Sequence, residues 1–176
     1  YQKVVEIYGP KGTRIFLQLI LKVFVPRETI KVKIHEIAKE RIEFQDFFIE
    51  SWPMQHSASC NAYCFIEKDK RKIKQQYIKK IPGKLLGELQ RGKDILYEGK
   101  KIKVSDATNL VRGRKICFVL DTLMNDNCFK AAKNADLLVS EACFLKSDED
   151  KAQERKHLTA TQAASISKKA HAKKLI

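Results

Sequence analysis

An α/β fold carrying an inserted basic segment is what the sequence predicts, on three observations. A strand-like stretch, Val4 to Tyr8, leads through a turn rich in Gly and Pro into a run with helical patterning. Two short apolar runs in the last third, "KICFVL" and "ADLLVS", each end on a carboxylate, and helix-like sequence follows each. From Glu67 onward, between these parts, the composition turns abruptly basic. With 176 residues and 44% hydrophobic content, the chain has the length of one medium domain and enough apolar material for a real core.

In "GPKGT" the glycines and the proline take turn-forming roles, and Thr13 is placed to cap the following helix. Ile15, Phe16, Leu19, Ile20, Val23 and Phe24 recur at helical spacing and give one broad apolar face that ends before Pro26. "IKVKI" (30–34) alternates apolar residues with lysine, and residues 44–52 and 62–66 also favour β structure, with His56 between the last two. Residues 66–103 hold thirteen Lys or Arg against five Asp or Glu, a local excess of +8, with turn signals at Pro82-Gly83, Gly87, Gly92 and Gly99. Composition alone reads first as a solvated surface loop. The sharper reading is an RNA-binding arm whose lysines follow phosphates without reading bases. Ile73, Tyr77, Ile78, Ile81, Leu85, Leu86 and Leu89 add helical packing, which favours a structured arm.

Further on, "KICFVL" reads as a fully buried strand ending on Asp121, and a short helix is expected over 127–133. "ADLLVS" ends on Glu141. A helix starts near Thr159, where Thr159 and Gln162 have capping-box spacing and His157 lies just upstream. Ligand sites in α/β architectures lie beyond the carboxyl ends of strands, so Asp121, Glu141 and His157 are expected to converge. A carboxylate at the mouth of a buried strand needs a partner: a helix N-terminus, a cation or a metal.

The chain carries 35 Lys and Arg against 21 Asp and Glu, a formal charge of +14, which favours polyanionic partners, nucleic acid ahead of anionic lipid. The longest apolar stretch, 15–25, is broken by Gln18 and Lys22 and is shorter than a membrane span, and no segment has the build of a signal peptide, so a soluble protein is expected. Five cysteines (Cys60, Cys64, Cys117, Cys128 and Cys143) are an odd number, and three sit in strand-like runs, which reads as reduced thiols of an intracellular protein. Cys60 and Cys64 lack a second pair at zinc-finger spacing. A first residue of Tyr and a last apolar run that is just beginning read as part of a longer protein.

The blocks "VEIYGPKGT", "MQHSASCNAY", "LLGELQRGKDI", "VLDT", "LLVSEACF" and "KHLTATQAA" resemble, in this order, the archaeal and bacterial tRNase Z (ribonuclease Z) group of the metallo-β-lactamase superfamily. The resemblance covers nearly the whole chain. It implies an αββα four-layer sandwich, present here as its second part: core over 1–65, an inserted tRNA-binding arm over 66–103, and core again over 104–176. It also implies a cytoplasmic, dimeric endonuclease that uses two zinc ions, with manganese an alternative, to remove the 3′ trailer from precursor tRNA. By position, His56 and Asp121 match metal ligands, and Asp121 would bridge both ions. Glu141 and His157 match the pair that moves a proton to the leaving group, and Thr159 matches a hydroxyl near the scissile phosphate. Lys68, Lys70, Arg71, Lys72, Lys74, Lys84, Arg91 and Lys93 are the arm's cations for tRNA phosphates.

The residues also have plainer readings. Asp121 could serve a helix cap or salt bridge, Glu141 and His157 a core-edge ion pair, and Thr159 the cap alone. The family's His-x-His-x-Asp-His segment would precede the first strand, and its last ligand histidine would follow Ile176. Leu120 and Ala62 stand where glycines are frequent, and the arm's Gly-x-Pro turn is shortened to "IPGK". Two other functions stay open: an RNA-binding relative without metals, and a hydrolase of small molecules, which sits poorly with the charge.

Overall fold

Residues 4–25 and 30–176 are described by the computed structural model, and Pro26, the expected helix terminator, lies outside them. Strand β1 (Val5–Gly9), helix α1 (Thr13–Phe24) and strand β2 (Val32–Glu36) form the first α/β unit, the strands pairing parallel from Val5 opposite Val32 to Gly9 opposite Glu36. The expected cap at Thr13 is corrected. Gly12 occupies the N-cap in the left-handed region at φ 99°, and the Thr13 hydroxyl turns back to donate to the Pro10 carbonyl at 2.7 Å. The helix's free amides are met instead by Glu36, whose Oε1 accepts from Gly12 N–H at 2.9 Å and Arg14 N–H at 3.0 Å. These bonds, the one from Arg14 foremost, hold the Glu36 carboxyl below its ordinary pKa.

Helix α1 is apolar on nearly every side, so periodicity does not reveal which side packs. Half-buried positions run Thr13, Leu17, Leu21, whereas all six residues of the expected apolar face are 52–77% exposed.

The chain continues through β3 (Arg41–Glu43), β4 (Phe47–Met54) and β5 (Cys60–Glu67). It divides into two units, Tyr1–Ile66 with Lys115–Ile176, and Glu67–Arg114. The second unit holds β6 (Lys70–Ile73), α2 (Gln75–Ile78), α3 (Gly83–Gln90), β7 (Ile95–Tyr97), β8 (Lys100–Ile102), α4 (Val104–Ala107) and β9 (Thr108–Val111). β6 pairs antiparallel with β9 and β7 with β8, the latter around Glu98 and Gly99, both at positive φ as a tight hairpin turn requires. Ile81, Leu89, Ile95, Val104 and Ala107 form its buried core, with Ile73, Tyr77, Leu85 and Leu86 packed against it. Ile78 is the exception at 45% exposed. The unit is thus a small folded body with its own apolar core, and it takes in 104–114 as well as the basic stretch.

Its two ends are tied together. Glu67 N–H donates to the Arg114 carbonyl at 2.9 Å, and the Glu67 carboxylate accepts from Arg114 Nε and Nη2, both at 2.9 Å. A Cβ at Gly113 would lie 1.9 Å from the Glu67 carbonyl oxygen, so only glycine lets the two backbones approach.

Past the insertion come β10 (Lys115–Val119), α5 (Asp126–Ala132), β11 (Leu137–Ser140), α6 (Glu149–Arg155) and α7 (Ala160–Lys169). The main sheet has the order β11-β10-β5-β4-β3, with β10 parallel to β11 and antiparallel to β5. Residues 173–176 extend its order, since Leu138 N–H donates to the Lys174 carbonyl at 2.8 Å and Ile176 N–H to the Leu138 carbonyl at 2.9 Å. The core gathers Ala62, Val119, Cys128, Ala131, Leu138, Leu158 and Ile166 where α5 and α7 meet the sheet. Its small side chains let α5 lie close. "KICFVL" is not buried on both faces as expected: Cys117 and Val119 point into the core, while Phe118 and Leu120 are 40% and 51% exposed. Cys64 and Cys117, opposite each other across β5 and β10, are joined as a disulfide, which corrects the reading of reduced thiols at those positions. Antiparallel register brings such pairs into direct contact. Among the described residues no helix is long and apolar enough to cross a membrane.

The Arg114 fork lowers the Glu67 pKa from 4.5 to about 2. A depressed carboxyl stabilises the fold above its unfolded pKa, so this contribution should be lost as pH falls from 4.5 toward about 2. NMR titration of the Glu67 carboxyl should show the low midpoint, and Arg114→Ala should return it toward the ordinary value.

Candidate active site

Three turns meet at one end of the main sheet. Because β10 and β11 are parallel, Asp121 and Glu141, which follow them, leave the sheet at the same end. β5 runs antiparallel to β10, Tyr63 opposite Phe118, so the β4–β5 turn that carries His56 lies at that end as well. The turns are laced together: Leu123 N–H donates to the Gln55 carbonyl at 2.8 Å, and Gln55 N–H to Thr122 Oγ1 at 3.1 Å.

His157 arrives from the end of α6. His157 N–H donates to the Ala152 carbonyl at 2.9 Å and Lys156 N–H to the Gln153 carbonyl at 3.3 Å, the paired bonds of a Schellman ending. Lys156 sits in the left-handed region at φ 59°, a conformation that costs a non-glycine residue about 1–2 kcal/mol. In return its carbonyl meets His56 Nδ1 at 3.0 Å.

Glu141 stands at the centre, its side chain only 6% exposed. Oε1 accepts from Thr122 N–H at 2.8 Å, and Oε2 lies 2.8 Å from His157 Nδ1. A buried carboxylate is costly without partners, and here both oxygens have one. With Glu141 ionised, the contact is attractive when Nδ1 carries the hydrogen, which leaves Nε2 as the nitrogen for proton exchange. Asp121 Oδ1 is 3.8 Å from His157 Nδ1, and its side chain is 63% exposed. The His56 and His157 rings lie 4.9 Å apart between centroids. Since a carbonyl only accepts, the Lys156 contact puts the His56 hydrogen on Nδ1 and leaves the Nε2 lone pair available. His56 Nε2 and the open Asp121 carboxylate are therefore nitrogen and oxygen donors that fit a divalent metal ion.

The structure therefore gathers His56, Asp121, Glu141 and His157. Thr159 is different: it is 1% exposed, its Oγ1 accepts from Gln162 N–H at 3.2 Å, and Gln162 returns the capping-box bond to Thr159 N–H at 3.0 Å. Cys143 was missed from the sequence as a site residue. Its thiol, Glu141 and His157 offer ligand atoms within 4.8 Å of one another, a grouping signalled in sequence only by its place two residues after Glu141. Cys60 also reaches the site, its thiol donating to the Asp121 carbonyl at 3.2 Å, and burial pushes that thiol up.

The proposed phosphate-binding cations lie in the second unit. Arg91 and Lys93 share Glu88 with one another, Lys74 donates to the Ser105 carbonyl at 3.5 Å, and Arg71 to Thr108 Oγ1 at 3.3 Å. Lys70 and Lys72 lie on β6, the start of which follows Lys68, and Lys84 is exposed on the first turn of α3.

No protein-family model matches the chain. Ribonuclease Z of Nanoarchaeum equitans is 31% identical to it over 179 residues, covering 100% of this chain and 57% of that protein. Over its whole length the chain is similar to proteins named ribonuclease Z. It spans a little over half the length of the curated relatives it matches. Among solved structures, the short form of human tRNase Z superposes with a TM-score of 0.64 at 20% identity, over 99% of this chain and 59% of that one. The metallo-β-lactamase fold protein YhfI from Bacillus subtilis superposes with a TM-score of 0.59 at 16% identity, over 98% of this chain and 50% of that one. The fold is that of the metallo-β-lactamases.

The hydrogen bond to Glu141, with burial, raises the Cys143 thiol to about 11. A thiol reagent should therefore modify Cys143 more slowly near neutral pH than an unperturbed cysteine, because the thiolate reacts. Glu141→Gln should speed the reaction several-fold, as followed by mass spectrometry of the Cys143 peptide.

Proposed function

We propose that the complete protein is a metal-dependent endoribonuclease that removes the 3′ trailer from precursor tRNA in the cytoplasm. The observation that carries this reading is the 2.8 Å contact between buried Glu141 and His157, with Asp121 and His56 alongside, in a chain similar to ribonuclease Z over its whole length. His56 and Asp121 are the ligands this chain gives to two zinc ions, with manganese an acceptable substitute for such donors. When bound, such a pair supplies a hydroxide nucleophile and neutralises charge on the phosphoryl oxygens.

The chain's own groups do the rest. Glu141, fixed by the Thr122 amide, orients the His157 ring, so that Nε2 faces outward to deliver a proton to the departing 3′ oxygen. Thr159 fixes the start of α7 beside His157, where helix amides favour a phosphate. Lys68, Lys70, Arg71, Lys72, Lys74, Lys84, Arg91 and Lys93 give the inserted unit the charge to hold the tRNA backbone. A homodimer is the assembly in which one subunit's insertion serves tRNA cut by the other.

In the complete protein, Asp121→Ala should abolish precursor cleavage and lower bound metal, because no neighbour replaces a ligand carboxylate. His157→Ala should keep the metal and lower kcat by about 10² to 10⁴. Metal analysis beside single-turnover cleavage checks both, and unchanged metal and activity in Asp121→Ala would sink the reading.

Replacing the insertion's lysines should act on affinity, not chemistry. Each lost phosphate contact should flatten the dependence of log K on log salt by somewhat under one unit. Hydrolysis of a small phosphodiester should be nearly unchanged. Binding and turnover measured at several salt concentrations separate the two effects.

A further inference from the structure

We propose that Glu141, Cys143 and His157 form a binding site for a borderline or soft divalent cation, of the zinc and cadmium class, distinct from the His56 and Asp121 donor pair. Three observations carry it. The three side chains present a carboxylate oxygen, a thiol sulfur and an imidazole nitrogen within 4.8 Å of one another, close enough to share one ion after small side-chain adjustments. Such a mixed set suits zinc or cadmium, whereas magnesium and calcium take oxygen ligands. With three protein ligands the fourth tetrahedral position is left for water.

Access exists as well. Cys143 is exposed, and a pocket of ≈ 600 Å³ lined by Cys143, Phe144, Lys151, Glu154, Arg155 and His157 opens beside it. Two of its cations, Lys151 and Arg155, oppose entry of a hydrated ion, but Lys151 is engaged by Asp148 at 2.8 Å. Third, the supports are already in place: Thr122 N–H holds the far oxygen of Glu141, and the Schellman ending holds the His157 backbone.

Binding forms a sulfur–metal bond as the thiol proton leaves to solvent. The contact of 2.8 Å between Glu141 Oε2 and His157 Nδ1 is a hydrogen bond, and an ion that takes donors from both must displace it. Where Nδ1 becomes the ligand, its hydrogen is lost to water and Nε2 takes one up, so one proton is released overall. If the acid role proposed above for His157 holds, ion occupancy and proton delivery exclude each other, and the site is inhibitory.

The test reads binding, not cleavage, so a failed nuclease assignment would leave it intact. Cadmium is titrated into the complete protein with its other metals in place, following the ultraviolet thiolate-to-cadmium charge-transfer band and the ¹¹³Cd resonance. The wild type should show a saturable band. Cys143→Ser, an exposed near-isosteric change, should abolish it, and His157→Ala should weaken cadmium binding by more than about tenfold. Cys60→Ser should keep the band. A band that is absent in the wild type, survives Cys143→Ser, or disappears in Cys60→Ser would overturn the proposal.

Discussion

The parallel pairing of β10 with β11 is the constraint on which the candidate site depends. Strands that run in one direction discharge their following residues at one end of the sheet, so two carboxylates twenty positions apart in sequence become neighbours. The antiparallel partner β5 adds the His56 turn by the opposite logic, since its beginning lies where β10 ends. Small core residues let α5 lie close to the sheet beneath this end, and the Asn125 side chain caps it by accepting from Asn127 N–H at 2.9 Å. A slip of one residue in β10 would move Asp121 away from His157 and turn Cys117 and Val119 out of the core.

A buried carboxylate would be a liability anywhere else in this fold. Glu141 is tolerated because a backbone amide and an imidazole satisfy its two oxygens, and that satisfaction is also what orients the ring. The left-handed Lys156 follows the same pattern: a locally unfavourable conformation holds a carbonyl against His56 and delivers His157. Nearby thiols complicate the picture. Cys143 shares Glu141 with His157, so the carboxylate has two partners.

The inserted unit obeys different rules. It has its own apolar core and hairpin, and its neck is closed by a charge-assisted fork and by a glycine that no other residue can replace without a clash. Several of its cations are already shared with carboxylates, as Arg91 and Lys93 are with Glu88, so their charge is partly committed before any phosphate arrives.

Much was legible in sequence because it is local. The capping box at Thr159 and Gln162, the short helix expected over 127–133 and found at Asp126–Ala132, the strands before Asp121 and Glu141, and the abrupt basic composition of the insertion all follow from short-range spacing, and the six ordered blocks pointed to ribonuclease Z. What the sequence could not decide is everything set by distant partners. Thr13 lost its cap because Glu36, remote in sequence, supplies one through the β1–β2 pairing, and the α1 face remained exposed because a helix apolar all round does not say which side will pack. Cys143 joined Glu141 and His157 only when the turn after β11 met the end of α6. Sequence by itself determined the helix cap at Thr159, the strands that end before Asp121 and Glu141, and where the charge lies, since those depend on neighbours a few residues away; tertiary structure alone decided which carboxylate, imidazole and thiol share one site, since that depends on strand direction and register.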